Sequence, residues 1–340
     1  MPWLFRTVSY ALCVMMDIDL RSLQAEVAFY RTICFSKNTK RSYASHKRAY
    51  FAFCNRTGLT PVPASTNTLC LYAAHLARRL KFNSVKQYLN IIRILHLEWQ
   101  LPNPLQDNFT LNTTLRGIRR HLGDMVSRKA PITPQLLLDL LSHLDINTPS
   151  GANTWAAALL MFFGLLRRAN VLPSALNSFD PRFHLRRKDL KFTSQGLQVT
   201  IRWSKTNQFR DRIHTLPLPR IPGNRLCPTQ AAFHALRLTP GAPPEGPVFV
   251  SPHGAVFRPL TATAFVSQVK QGLSGHCDTS RIAGHSFRRG GASWAYSSGV
   301  PVDLIRQLGD WQSNAYTKYT LCTNNLLSSA MTLMSRELPN

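Results

Sequence analysis

Apolar side chains recur along this chain mainly at helical spacing. From Asn38 to Gly58, Tyr43, Tyr50, Phe53 and Cys54 fall on one arc at about 100° per residue, so the pattern predicts a helix. Asn38 is placed to cap it, and Gly58 stands just past its end, ready for a left-handed conformation. Pro61 and Pro63 break the chain, and Leu69, Tyr72, Ala73, Leu76 and Leu80 mark a second helix. Ser84 is expected to cap a third, carrying Val85, Tyr88, Leu89, Ile92, Leu95 and Trp99, and a shorter helix is expected around Leu111–Arg120. These stripes are core positions, and residues 25–122 read as a bundle of four or so helices.

Gly123–Ala130, with Arg128 and Lys129, reads as a linker. Structure is expected to restart at Thr133 as an N-cap with Pro134 in the first helical position, and Leu136, Leu137, Leu140, Leu141 and Leu144 to bury one side. Residues 154–169 are apolar nearly all round, which predicts a helix central to its domain that ends by presenting Arg167 and Arg168. Leu197–Trp203 alternates in the manner of a strand, and with Ile213–Leu218 it forms a hairpin whose turn region carries Lys205; Val248–Val250 offers another short strand. The expected class is mainly α with a small β-hairpin sheet.

Charge changes this picture from architecture to partner. The 340 residues carry 41 Lys and Arg against 16 Asp and Glu, a net charge of +25. The surplus is shared, 13 charges on residues 1–130 and 12 on residues 131–340, so both halves are built to face a polyanion. In the first half, Lys37, Lys40, Arg41, Lys47 and Arg48 adjoin the core arc of one helix, and Arg116, Arg119 and Arg120 end another; all eight are candidate DNA contacts. A solvated basic face would give the same pattern, and a basic structural protein the same net charge. Seven scattered cysteines form no C-x-x-C pair, and His276-Cys277-Asp278 lacks a second ligand pair, so neither a disulfide framework nor a metal centre is expected. The thiols are expected to be reduced and mostly buried. Residues 1–24 read as a leader of uncertain status, and no stretch has the length of a membrane span.

Two segments concentrate chemistry. Adjacent arginines such as Arg167 and Arg168 point about 100° apart, so only one need face inward, where it requires an anion or acceptors; exposed arginines compensating a helix C-terminus are the competing reading. Downstream, His285 and Arg288 lie three apart in Gly284-His285-Ser286-Phe287-Arg288-Arg289-Gly290-Gly291, so both project from one side of a helix start. Gly290 and Gly291 permit close backbone approach. Leu308-Gly309-Asp310-Trp311 and Tyr316-Thr317-Lys318-Tyr319 follow.

H-x-x-R, some twenty residues to L-G-x-W, then a tyrosine, resembles the tyrosine recombinase (phage integrase) family. Gly164-Leu-Leu-Arg167-Arg-Ala-Asn170 is similar to its first arginine motif, and Lys205 sits on the hairpin where its lysine sits. The wording of the segments is most similar to recombinases of Crypton and Ngaro/DIRS mobile elements. The resemblance implies a helical SAM-like core-binding domain over residues 25–122 and a mixed α/β integrase-like catalytic domain over residues 131–335. It implies metal-independent cutting and rejoining of double-stranded DNA, with no cofactor, through a 3′-phosphotyrosyl intermediate. Arg167 and Arg288 would hold the phosphate, Lys205 would be the acid, His285 would assist proton transfer, and Tyr319 would be the nucleophile. A homo-oligomer, a tetramer on DNA, follows from the same resemblance, with Asn324–Met334 docking in cis or in trans; nuclear location follows from the substrate. A domesticated or inactive DNA-binding derivative is the alternative.

This chain departs from the family pattern at three places. Asp310 stands where most members carry His or Trp, and Trp311 comes one place later; either could fill the functional position. Asn170 stands where many bacterial members have Glu, and Tyr316 is a rival nucleophile one turn from Tyr319.

Overall fold

The computed structural model describes residues 19–123, 129–205, 207, 213–312 and 317. The chain forms two compact units, Met1–Val126 and Ser127–Asn340.

The first unit is helical: α1 (Leu20–Ile33), α2 (Lys37–Thr57), α3 (Thr66–Ala77), α4 (Phe82–Glu98) and α5 (Phe109–Leu122). α1 crosses the expected leader boundary at residue 24, and none of its residues is buried. α2 begins before Asn38, because the Ser36 hydroxyl caps it by accepting from the Thr39 N–H; Gly58 closes it at φ 67°. Ser84 lies inside the first turn of α4, whose N-cap is Lys81. Tyr50, Phe53, Cys54, Leu69, Tyr72, Leu76, Val85, Leu89, Ile92 and Leu95 form the core, as their spacing predicts. Trp99 does not join it, because the helix ends at Glu98 and the indole is 65% exposed. His96 is buried because both ring nitrogens are used: Nε2 accepts from the Ala64 N–H at 2.9 Å, and Nδ1 reaches the Ile92 carbonyl at 2.7 Å.

The second unit contains α6 (Pro134–Ser142), α7 (Pro149–Phe163), α8 (Arg168–Val171), β1 (Leu190–Phe192), β2 (Gly196–Ile201), β3 (His214–Pro219), α9 (Pro228–Arg237), β4 (Val250–His253), β5 (Val256–Pro259), α10 (Ala262–Gly272), α11 (Gly284–Ser297) and α12 (Val302–Leu308). β1, β2 and β3 form an antiparallel sheet in that order, with Ile201 opposite His214, and β4 pairs with β5. The hairpin was legible; β1 was not, being only three residues long, and the strand expected at Val248–Val250 starts at Val250.

α7 is buried from Gly151 to Phe162, as an all-apolar helix must be. It does not reach residue 169. The chain kinks at Gly164-Leu165, and Leu165 takes φ +46°, a strained region for a branched side chain. α11 lies against it with almost no clearance: a Cβ on Gly291 would stand 1.9 Å from the Phe162 carbonyl oxygen, and one on Gly290 1.9 Å from that of Ile132. The paired glycines thus exchange helix propensity for backbone contact.

Among the described cysteines, all free, Cys54 and Cys227 are buried, Cys70 and Cys277 are partly covered, and Cys34 is exposed, so burial is less general than expected. No described helix is long and apolar enough to cross a membrane.

Candidate active site

Arg288 is the anchor of the site. Set on the inner side of α11, it is only 2% exposed, and a buried guanidinium requires acceptors. It donates Nη1–H to the Leu165 carbonyl at 2.5 Å and Nη2–H to the Gly309 carbonyl, and the Trp311 ring stacks on it at 4.0 Å. The left-handed turn at Leu165 therefore serves to present a carbonyl. Gly309 is equally constrained, since a Cβ there would lie 1.8 Å from the Trp311 ring. These contacts give Trp311 a place: it packs on the face of Arg288.

Arg167 reaches the same cleft by a different route than the sequence pattern indicates. It does not end the long helix; it follows the kink in extended conformation as the N-cap of α8. Arg168 is exposed, and its stem passes Gly284 so closely that a Cβ there would be 2.4 Å from the Arg168 Cδ. Arg167 is the inward member of the pair. It lines, with Arg288, Asp310, Ser204, Asn170 and His214, a cleft of about 310 Å³ including its open mouth. Asp310, at φ +51°, faces Arg167 at 3.9 Å, the outer edge of ion-pair contact.

His285 stands one turn before Arg288, at the exposed start of α11. Desolvation by surrounding atoms, then the charges of Arg288, Arg167 and Arg289, push its pKa down to about 4. Because the residue is nevertheless exposed, the three guanidiniums are the sturdier cause. The ring is therefore neutral at pH 7, able to accept or relay a proton.

Lys205 is exposed in a tight turn closed by a bridge between Ser204 and Asn207. Ser204 and Asn207 are both buried. The turn is tied to the first arginine motif, since the Asn170 amide donates to the Trp203 carbonyl at 2.7 Å. Arg167, Arg288, Asp310 and Trp311 thus meet in one region, with His285 in the field of its arginines and Lys205 adjoining it through Ser204. Tyr316 and Tyr319 lie outside the described residues, as does the tail Asn324–Met334. No group of three or more His, Cys, Asp or Glu among the described residues is arranged to hold a metal.

In the first unit, Lys37, Lys40, Arg41, Lys47 and Arg48 of α2 and Arg116, Arg119 and Arg120 of α5 are all exposed. Arg119 and Lys86 both lie over the Phe82 ring, at 5.8 and 6.0 Å, so α4 adds an aromatic to a basic surface. Leu165, Ser204 and His214 carried no sequence signal for the cleft; the kink and the hairpin register bring them there.

No family model matches the chain. A curated relative, the integrase/recombinase XerD homologue of Selenomonas ruminantium, is 27% identical over 287 residues, covering 79% of this chain and 77% of the relative. Among solved structures, the Tn1549 transposon integrase in complex with circular intermediate DNA superposes with a TM-score of 0.57 at 16% identity, covering 91% of this chain and 98% of the other. The relative supports the tyrosine recombinase/integrase family, and the superposition shows a shared fold. A lambda integrase dimer bound to a COC′ core site gives the same TM-score, 0.57, at 14% identity over 89% and 95% of the two chains. The mainly helical fold with small antiparallel sheets is that of tyrosine recombinase catalytic domains.

Proposed function

We propose that this protein is a tyrosine recombinase that cuts and rejoins duplex DNA, of the kind carried by Crypton and Ngaro/DIRS mobile elements. The observation that carries this reading is the sharing of one cleft by Arg167 and a buried, carbonyl-anchored Arg288. Two fixed guanidiniums offer charge-assisted hydrogen bonds to both non-bridging oxygens of one phosphodiester and stabilise the charge that grows as it becomes five-coordinate. The Tyr319 oxygen attacks phosphorus, and the 5′-oxygen leaves. One P–O bond forms as another breaks, so a 3′-phosphotyrosyl ester retains the diester for later attack by a second 5′-hydroxyl. A phenol titrates near ~10, so its proton must be removed, for which neutral His285 is suited; Lys205 protonates the leaving oxygen.

The relative's recombinase name and the DNA in the neighbouring complexes support a DNA substrate here. We place the protein in the nucleus on the ground of that substrate, acting as a tetramer on DNA. The eight exposed cations of α2 and α5 are assigned to the DNA backbone.

The test is covalent capture. A randomised duplex library is incubated with wild type or Tyr319→Phe, denatured, and the protein-bound DNA sequenced. Wild type should retain a related set of sequences and Tyr319→Phe none; retention by both, or by neither while both bind DNA, would reject the assignment.

A further inference from the structure

The position at which the family pattern has His or Trp is filled here by an acid, and its contacts point away from a direct role on phosphate. Asp310 Oδ2 accepts from the Ser204 hydroxyl at 2.5 Å and faces Arg167 at 3.9 Å. Ser204 is 4% exposed, and its oxygen also accepts the Asn207 N–H at 3.1 Å, while its carbonyl accepts the same N–H at 3.0 Å. Ser204 therefore closes the turn in which Lys205 is the next residue, and Asp310 fastens that turn to the end of α12. A carboxylate is the side chain that can hold a hydroxyl and a guanidinium together. Asp also tolerates φ +51° better than most residues, through its short polar side chain.

We propose that Ser204 and Asp310 are positioning residues that set Lys205 for proton delivery to the leaving oxygen. Asp310 thus fills the place of the usual His or Trp without taking over a contact to DNA, and Trp311 supports Arg288 instead. The inference rests on the recombinase reading. It differs from that reading in predicting a defect that depends on the leaving group.

A 5′-bridging sulfur tests it. A thiolate leaves with little need of an acid, because thiols titrate near ~8.5 rather than near the far higher value of an alcohol. The rate of adduct formation is measured on oxygen- and sulfur-bridged forms of a captured duplex, and the sulfur-to-oxygen ratio is taken within each preparation, which cancels any inactive fraction. Ser204→Ala should raise this ratio about ten- to a hundredfold over wild type, the scale on which ångström misplacement acts. Asp310→Glu, which keeps the charge but sets the carboxylate one methylene away, should raise it too, and serves if the serine variant does not fold. Asp310→Asn keeps an acceptor for Ser204 and should raise it less. Ser204→Ala combined with Lys205→Ala should show no higher ratio than Lys205→Ala alone. An unchanged ratio in Ser204→Ala and Asp310→Glu overturns the inference while leaving the recombinase reading intact. Absence of any wild-type adduct on both substrates removes both.

Discussion

A histidine ringed by three arginines reports on what those arginines are for. With its pKa near 4 in the free protein, His285 should show no titration near 6.5 when its ring protons are followed by NMR. An oxyanion between Arg167 and Arg288 would cancel part of the field, so bound DNA should move the midpoint upward, and Arg167→Gln should do the same without DNA. A midpoint unmoved by both would separate His285 from the arginine pair. The linkage has a defined sign: the folded value lies below the unfolded one, so unfolding takes up a proton between about pH 6.5 and about pH 4, and this residue's contribution to stability is lost as pH falls through that window. His285 and Arg288 were legible in the sequence because three-residue spacing at a helix start puts both on one side. Arg167 was legible only as one of two, and its inward placement depends on the Leu165 kink, which hydropathy does not encode. Ser204 was invisible, being one serine in a turn.

Elements position these groups through a few buried polar ties. Asp189, 3% exposed, lies just before β1 and pairs with Arg186 at 3.1 Å and with Arg202 just past β2. Burial alone would raise its pKa, but hydrogen bonds from Arg186 and Arg202 outweigh it and hold the carboxyl below its usual range. That contribution is present above the ordinary carboxylate pKa and is lost as pH falls through the lowered one. Asp189→Ala removes a buried carboxylate that accepts from the Arg186 N–H and side chain and from Arg202, while Arg186 keeps Glu245 and Arg202 stays partly exposed, so chemical denaturation should show a loss of about 1–3 kcal/mol; a loss under about 0.5 kcal/mol would mean that the tie is not structural. α1, α8, α9, α10 and α12 were not anticipated, but the existence of α2 to α7 and the start of α11 were legible, because apolar periodicity reports which face is buried. Boundaries were less so: Ser36 outcompetes Asn38 as a cap, and α7 stops at Phe163 because local backbone geometry, not apolarity, ends it. The three-residue β1 is too short for alternation to register.

At the scale of the molecule, a net charge of +25 makes DNA affinity a function of salt. Each phosphate contact contributes about 0.9 to the slope of log affinity against log salt, so replacing Arg116, Arg119 and Arg120 with Ala should flatten that slope by up to about 3 in a titration with duplex DNA. An unchanged slope would assign those arginines to a solvated face. Charge was the most legible property of the chain and the least specific, because it names a polyanion but no reaction. The reaction depends on the claim that Arg167 and Arg288 share one phosphate, and the most direct measurement is adduct formation on a duplex whose scissile phosphate is replaced by neutral methylphosphonate. If Arg167 neutralises that phosphate, Arg167→Ala should lose most of its activity on ordinary DNA yet approach wild type on the methylphosphonate, raising the ratio of the two rates by about tenfold or more, the scale of one hydrogen bond to a charged group. An Arg167→Ala variant equally impaired on both substrates would contradict the account.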